Sequence, residues 1–194
     1  HVGYMLLGIG AAVTFLQPDA LAGAFFHLLT HMLMKGLAFL SAGALLYALF
    51  LSRGKHGSLL IADLNGAAAR YPLIAGALSI ALLGLGGLPP LAGFMSKWQI
   101  FVAGVSTHNI LIDLLVVFAA LNSVLSLGYY APLVNAMYRQ KPSEAVLRGV
   151  RLPVAMLIPL IVLAALVLAV GLWPDLLRWL SDPAGSALMA AFGG

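Results

Sequence analysis

The chain has 194 residues, of which 62% are hydrophobic and only 8% charged. A soluble domain carries roughly 25% charged residues, so this composition describes an integral membrane protein. The net charge of +4 rests on few charges and does not point to nucleic acid, and the absence of cysteine excludes disulfides, thiolate metal sites and iron–sulfur ligation from this chain.

Residues 1–16 are apolar but short for a span of about 20 residues. The chain opens on His1 inside this run, without an initiating Met or a basic n-region. It is expected to be the C-terminal part of a longer protein. Gln17, Pro18 and Asp19 predict a turn. A long apolar run follows over 20–51 and carries His27, His31 and Lys35. Residues 52–71 form a polar connection with Arg53, Lys55, His56, Asp63 and Arg70. At a surface, Asp63 and Arg70 as a pair would contribute roughly 0–1 kcal/mol.

The third span, 72–105, holds a break at 84–97. Two prolines (Pro89 and Pro90) remove backbone donors, and Gly84, Gly86, Gly87 and Gly93 tolerate unusual dihedrals, so an unbroken helix is not expected. Within a membrane such a break persists only where protein or a water-filled cavity satisfies the freed backbone groups. Lys97 follows it directly. Its bland alternative is a flanking anchor at a helix end. A turn at 106–108 leads to a span over 109–138, with Asp113 near its start, expected as a solvated boundary residue. Asn122, Ser123 and Ser126 lie inside that span and fit either a polar path or interhelical hydrogen bonding. A basic loop at 139–151, a last span over 152–173 and a polar/apolar tail at 175–194, expected along the interface, complete the chain. Trp98, Trp173 and Trp179 read as interfacial or packing aromatics.

Five spans, the third counted as one crossing, put 52–71 and 139–151 on one side. That side holds Arg53, Lys55, Arg70, Arg139, Lys141, Arg148 and Arg151. The other holds Arg178 with Asp19, Asp175 and Asp182. The positive-inside rule makes the basic side cytoplasmic. Lys35 and Lys97 are then the two basic residues expected at membrane depth, where an ionisable group reads as functional by default.

His27, His31 and Lys35 are spaced i, i+4, i+8, which places them along one helix face with about 6 Å between steps. Histidine titrates near neutral pH. Desolvation disfavours a charged amine, so a lysine there can exchange its proton instead of holding it permanently. The row therefore suits proton hopping. Two histidines at this spacing also suit a metal, but no carboxylate or cysteine nearby in sequence completes such a site. The alternative is interhelical hydrogen-bonded glue with Lys35 snorkelling to an interface.

The run 26–40, containing these three residues, resembles a core helix of the antiporter-like subunits of respiratory complex I and of multisubunit cation/proton antiporters. The run 87–97 resembles their discontinuous helix. His1 to Met5, Asp63 to Gly66 with Arg70, Tyr71 and Pro72, and Asn122 and Ser123 with 126–130 fit in the same order. The resemblance implies an all-α polytopic membrane bundle with a broken transmembrane helix, part of an inverted-repeat antiporter-like fold. It implies that His27, His31 and Lys35 belong to a central hydrophilic axis, and that Lys97 handles the proton at the second break. The first half-channel would precede His1.

The expected function is proton translocation as a subunit of an NADH–quinone oxidoreductase-like complex, with no redox cofactor and no metal of its own. The expected partners are other membrane subunits, the bilayer and protons, with sodium as the alternative ion. The expected location is the prokaryotic plasma membrane. A sodium/proton antiporter subunit, a membrane-bound hydrogenase subunit and a purely structural anchor are the alternatives.

Overall fold

The computed structural model describes residues 1–53 and 60–192, with side chains described for 1–50 and 60–191. Lys55 and His56 lie outside the described residues, and of Arg53 only the backbone is described. Among the described residues all regular structure is helical: α1 (Val2–Phe15), α2 (Pro18–Arg53), a 3₁₀ turn (Ile61–Leu64), α3 (Ala67–Arg70), α4 (Pro72–Gly86), α5 (Ala92–Val105), α6 (Ile110–Arg139), α7 (Glu144–Arg148), α8 (Val154–Leu172) and α9 (Asp175–Phe192). The bundle is the all-α membrane architecture that the resemblance implies. By length and hydropathy α2, α6 and α8 can each cross a bilayer, while α1 and α4 are shorter apolar helices.

The α1–α2 connection is tighter than a free turn. Leu16 closes α1 in the left-handed region with φ 51°. Pro18 then opens α2 at its first position, where its missing N–H costs nothing, and Asp19 faces the positive end of the helix dipole. At 36 residues α2 spans roughly 54 Å, well beyond a hydrocarbon core of about 30 Å. It is the central element, packing against α1, α4, α5, α8 and α9. Phe26, Met34, Leu37, Leu45 and Leu49 are fully buried along it. Around them α4 adds Ile74, Leu78 and Leu82, and α8 adds Leu160, Val167 and Val170, to form the main core. A second core joins α1, α2, α5, α6 and α9 through Ala11, Leu21, Ala103, Val116 and Met189.

The tail at 175–192 is one helix, and it packs on α2 instead of standing apart. Ser181, Gly185 and Met189 recur every four residues on its buried face. A Cβ at Gly185 would stand 2.7 Å from the Ala22 nitrogen, so the two backbones approach closely there.

The 60–71 and 139–151 connections are tied together at one end of the bundle. The Gly66 amide donates to the Ala136 carbonyl at 3.0 Å, Ser143 N to Asn65 O at 3.0 Å, and Val150 N to Ala48 O at 3.2 Å. Arg70 donates to the Gly149 carbonyl at 2.6 Å. Asp63 accepts the Leu60 amide at 2.8 Å, so these two residues brace different parts of the connection.

Candidate proton-handling site at the helix break

The site begins with the backbone accounting where α4 ends. A helix leaves its last four carbonyls without an intrahelical partner. In α4 these belong to Leu83, Gly84, Leu85 and Gly86. Gly87 turns into the left-handed region at φ 84°. Its N–H then donates to Gly84 O at 2.9 Å, and Leu88 N donates to Leu83 O at 3.0 Å. This is a Schellman-type close, which glycine permits at low steric cost. Two carbonyls remain. Lys97 Nζ donates to Leu85 O at 2.9 Å, and Ser123 Oγ donates to Gly86 O at 2.9 Å. Lys97 also donates to Ser123 Oγ at 2.8 Å. Every orphan carbonyl of α4 is therefore satisfied, and half of them by side chains from α5 and α6. The lysine ammonium also faces the negative end of the α4 dipole.

The break is compact. A Cβ at Gly93 would collide with the Gly84 carbonyl, and one at Gly171 of α8 would collide with the Pro90 carbonyl. The Pro89–Pro90 bond is cis. Lys97 is only 3% exposed. Its Nζ lies 4.8 Å from the centroid of the Tyr4 ring, an attractive cation–π arrangement.

Tyr4 connects this lysine to the imidazoles. Its ring meets His27 edge-on at 5.6 Å between centroids. His27 is fully buried. Both its ring nitrogens are engaged: Nε2 with His1 Nδ1 at 3.2 Å and Nδ1 with Ser96 Oγ at 2.8 Å. Thr30 Oγ1 stands 2.9 Å from Ser96 Oγ and 3.1 Å from its second acceptor, the His27 carbonyl. His31 stacks on His1 at 4.5 Å between centroids, and lies 6.2 Å from His27. Its Nε2 is buried without a hydrogen-bond partner among the described residues. Among the described residues no three His, Asp or Glu side chains converge as a metal site.

The four residues singled out from the sequence thus divide. His27, His31 and Lys97 share one polar cluster. Lys35 stands apart, half-buried, with its ammonium 5.3 Å from the Phe39 ring centroid. It lines a cleft of about 310 Å³ with Leu85 and Tyr130. No hydrogen bond among the described residues joins it to His31. Leu85 is common to both places, its carbonyl holding Lys97 and the residue also lining the Lys35 cleft.

Several participants were not selected from the sequence. Thr30 lies three residues after His27, a same-face spacing that could have flagged it. Ser96 immediately precedes Lys97. His1 and Tyr4 carry no local signal, since their partners are far away in the chain. Ser123 takes a direct part, whereas Asn122 is exposed and reaches only the Tyr4 hydroxyl, at 3.4 Å. Asp113, expected as a solvated boundary residue, is half-buried, with one carboxylate oxygen buried and without a hydrogen-bond partner among the described residues.

These features define a class: a helical membrane protein holding a buried lysine where one helix ends and the next begins, joined through Tyr4 to a group of stacked imidazoles. The sequence profile of the family described as NADH:quinone oxidoreductase/Mrp antiporter, transmembrane, matches residues 1–126. The chain belongs to that family. It is similar to F(420)H(2) dehydrogenase subunit N of Methanosarcina mazei, 39% identical over 171 residues, covering 86% of this chain and 34% of that protein. It is also similar to NADH-quinone oxidoreductase subunit N of Polaromonas naphthalenivorans, 31% identical over 197 residues, covering 100% of this chain and 38% of that protein. Among solved structures, respiratory complex I from Thermus thermophilus matches with a TM-score of 0.68 and 29% identity, over 92% of this chain and 36% of the matched one. The chain spans about a third of the length of the curated relatives it matches. The antiporter-like membrane fold expected from residues 26–40 and 87–97 is the fold these comparisons return.

Proposed function

We propose that the chain is part of a proton-translocating membrane subunit of an NADH–quinone oxidoreductase-like complex, with Lys97 as the titrating group at the break. The observation that carries this reading is the placement of Lys97. It is buried, bonded to Leu85 O and Ser123 Oγ, and linked through Tyr4 to His27. Those acceptors are neutral, so the amine can release a proton without stranding a buried carboxylate. A proton would move among His31, His1 and His27, pass to Lys97 by way of the Tyr4 and Ser96 region, and leave along α6. Lys35 would act from its neighbouring cleft, its charge altering the proton affinity of the next group. Both curated relatives above are named as subunit N of a dehydrogenase or oxidoreductase, which favours that member type.

The two halves α4 and α5 are read as one interrupted crossing. The α4 start and the α6 end are hydrogen-bonded at the same end of the bundle through Gly66 and Ala136. A 30-residue α6 must therefore return from the far end, which α4 and α5 reach together. That puts the basic residues of 60–71 and 139–151 on one side, the cytoplasmic side by the positive-inside rule. The membrane is then a prokaryotic plasma membrane, and the partners are the other membrane subunits of the complex.

A sodium/proton antiporter subunit is the second reading, because the family profile spans both kinds of protein. Transport by the assembled complex in vesicles separates them. Proton uptake that requires an electron donor and is indifferent to sodium supports the first reading. Uptake driven by a sodium gradient with no donor supports the second. Unchanged uptake in both Lys35→Met and Lys97→Met complexes would leave only a structural anchor.

A further inference from the structure

A cleft of about 490 Å³ lies where α4 and α8 begin, lined by Arg70, Tyr71, Leu73, Ile74, Arg151 and Leu157 among others. It is remote in sequence from the Lys97 cluster and has no part in the proposed proton path. Its rim is braced. Arg70 donates to Gly149 O at 2.6 Å and Tyr71 OH donates to Val150 O at 3.0 Å. Consecutive residues of one strand of chain are thus clamped to consecutive carbonyls of the other, which places Arg151 on the same cleft as Arg70. Both guanidiniums are exposed. Neither forms an ion pair among the described residues, whereas the nearby Arg148 pairs with Glu144 at 3.1 Å. Arg70 spends one of five donors on Gly149, leaving four. Two like charges on one cleft, both unpaired, call for an anion.

The rest of the cleft says which anion. Its remaining lining is largely apolar, with Leu73 and Leu157 on the first turns of two apolar helices. Two guanidiniums together with hydrocarbon match the amphipathic character of a lipid at the bilayer boundary. Basic pockets between transmembrane helices are suited to anionic head groups. We propose that this cleft binds an anionic phospholipid, its phosphate between Arg70 and Arg151 and an acyl chain along Leu73 and Leu157.

The test uses the assembled membrane complex in phosphatidylcholine vesicles doped with a trace of diazirine-acyl phosphatidylglycerol or diazirine-acyl phosphatidylcholine. Peptides containing Leu73 and Leu157 should be labelled about thirty-fold more by the phosphatidylglycerol probe, the factor expected for about 1 kcal/mol at each of the two arginines. Arg151→Gln, on an exposed side chain, should remove most of that preference. Leu157→Trp should lower labelling by both probes while leaving their ratio. Equal labelling by the two probes, or a preference unchanged in Arg151→Gln, would overturn the proposal. So would the absence of any label at these peptides, which would assign the cleft to a protein partner. Loss of the preference on adding millimolar inorganic phosphate, but not chloride of equal ionic strength, would assign it to free anions.

Discussion

Lys97 reaches back across the helix break to donate to the carbonyl of Leu85 at 2.9 Å. The residue that ends one helix and the residue that charges the next are thereby one unit. A carbonyl freed by the break fixes the ammonium, and the ammonium satisfies the carbonyl. Removing the ammonium leaves the buried Leu85 carbonyl without that donor, at a cost of about 1–3 kcal/mol, whereas Lys97 also holds Ser123 Oγ.

Gly87→Ala tests the geometry of that unit without touching its charge. An alanine at φ 84° costs roughly 1–2 kcal/mol in left-handed strain. Its Cβ would also stand 3.0 Å from Ser123 Oγ and 3.1 Å from Lys97 Nζ. The expected outcome is a lower melting temperature of the purified complex together with a reduced proton-to-electron ratio. A ratio at the wild-type value would mean that the position of Lys97 tolerates displacement.

Ser96→Ala removes the hydroxyl between His27 and Thr30. The buried His27 Nδ1 loses its partner, at about 1–3 kcal/mol. Transport should fall while assembly persists, and by less than on loss of Lys97, because His1 and Tyr4 still contact His27. Complete loss with normal assembly would place Ser96 itself in the proton path.

Lys35→Met separates the outlying lysine from the cluster. It removes a cation–π contact of roughly 0.5–1 kcal/mol, so stability should change little. Proton uptake should nevertheless drop severely if the charge on Lys35 biases its neighbours. Full uptake in this variant would confine the path to the Lys97 side of Leu85.

Gly185→Leu examines the close approach of α9 to α2. A side chain there meets the Ala22 backbone, and overpacking of this kind costs about 1–3 kcal/mol. Limited proteolysis should cut α9 faster in the variant. Equal cutting rates would show that α9 does not depend on this contact.

The break itself was legible because its causes are local: proline removes donors and glycine admits left-handed backbone. Lys97 was legible because it stands beside the break. The i, i+4, i+8 spacing of His27, His31 and Lys35 marks one helix face only approximately. Each step of four residues turns about 40° around a helix, so Lys35 lies about 80° from His27. That drift carries it toward the Tyr130 cleft, where it makes no hydrogen bond to His31 among the described residues. His1 and Tyr4 were not selected because tertiary packing alone joins them to His27 and Lys97, and Ser123 was marked as polar without any sign that its partner is Lys97. Asp113 is half-buried, next to Ile112 and Val116, which are buried on one side of α6.

The most direct measurement is the proton-to-electron ratio of the assembled complex carrying Lys97→Met, reconstituted in sealed vesicles and driven by its electron donor. The account predicts that the complex assembles and that its outward proton transport through this subunit is lost. A wild-type ratio at wild-type assembly would contradict the assignment of Lys97 as the titrating group at the break.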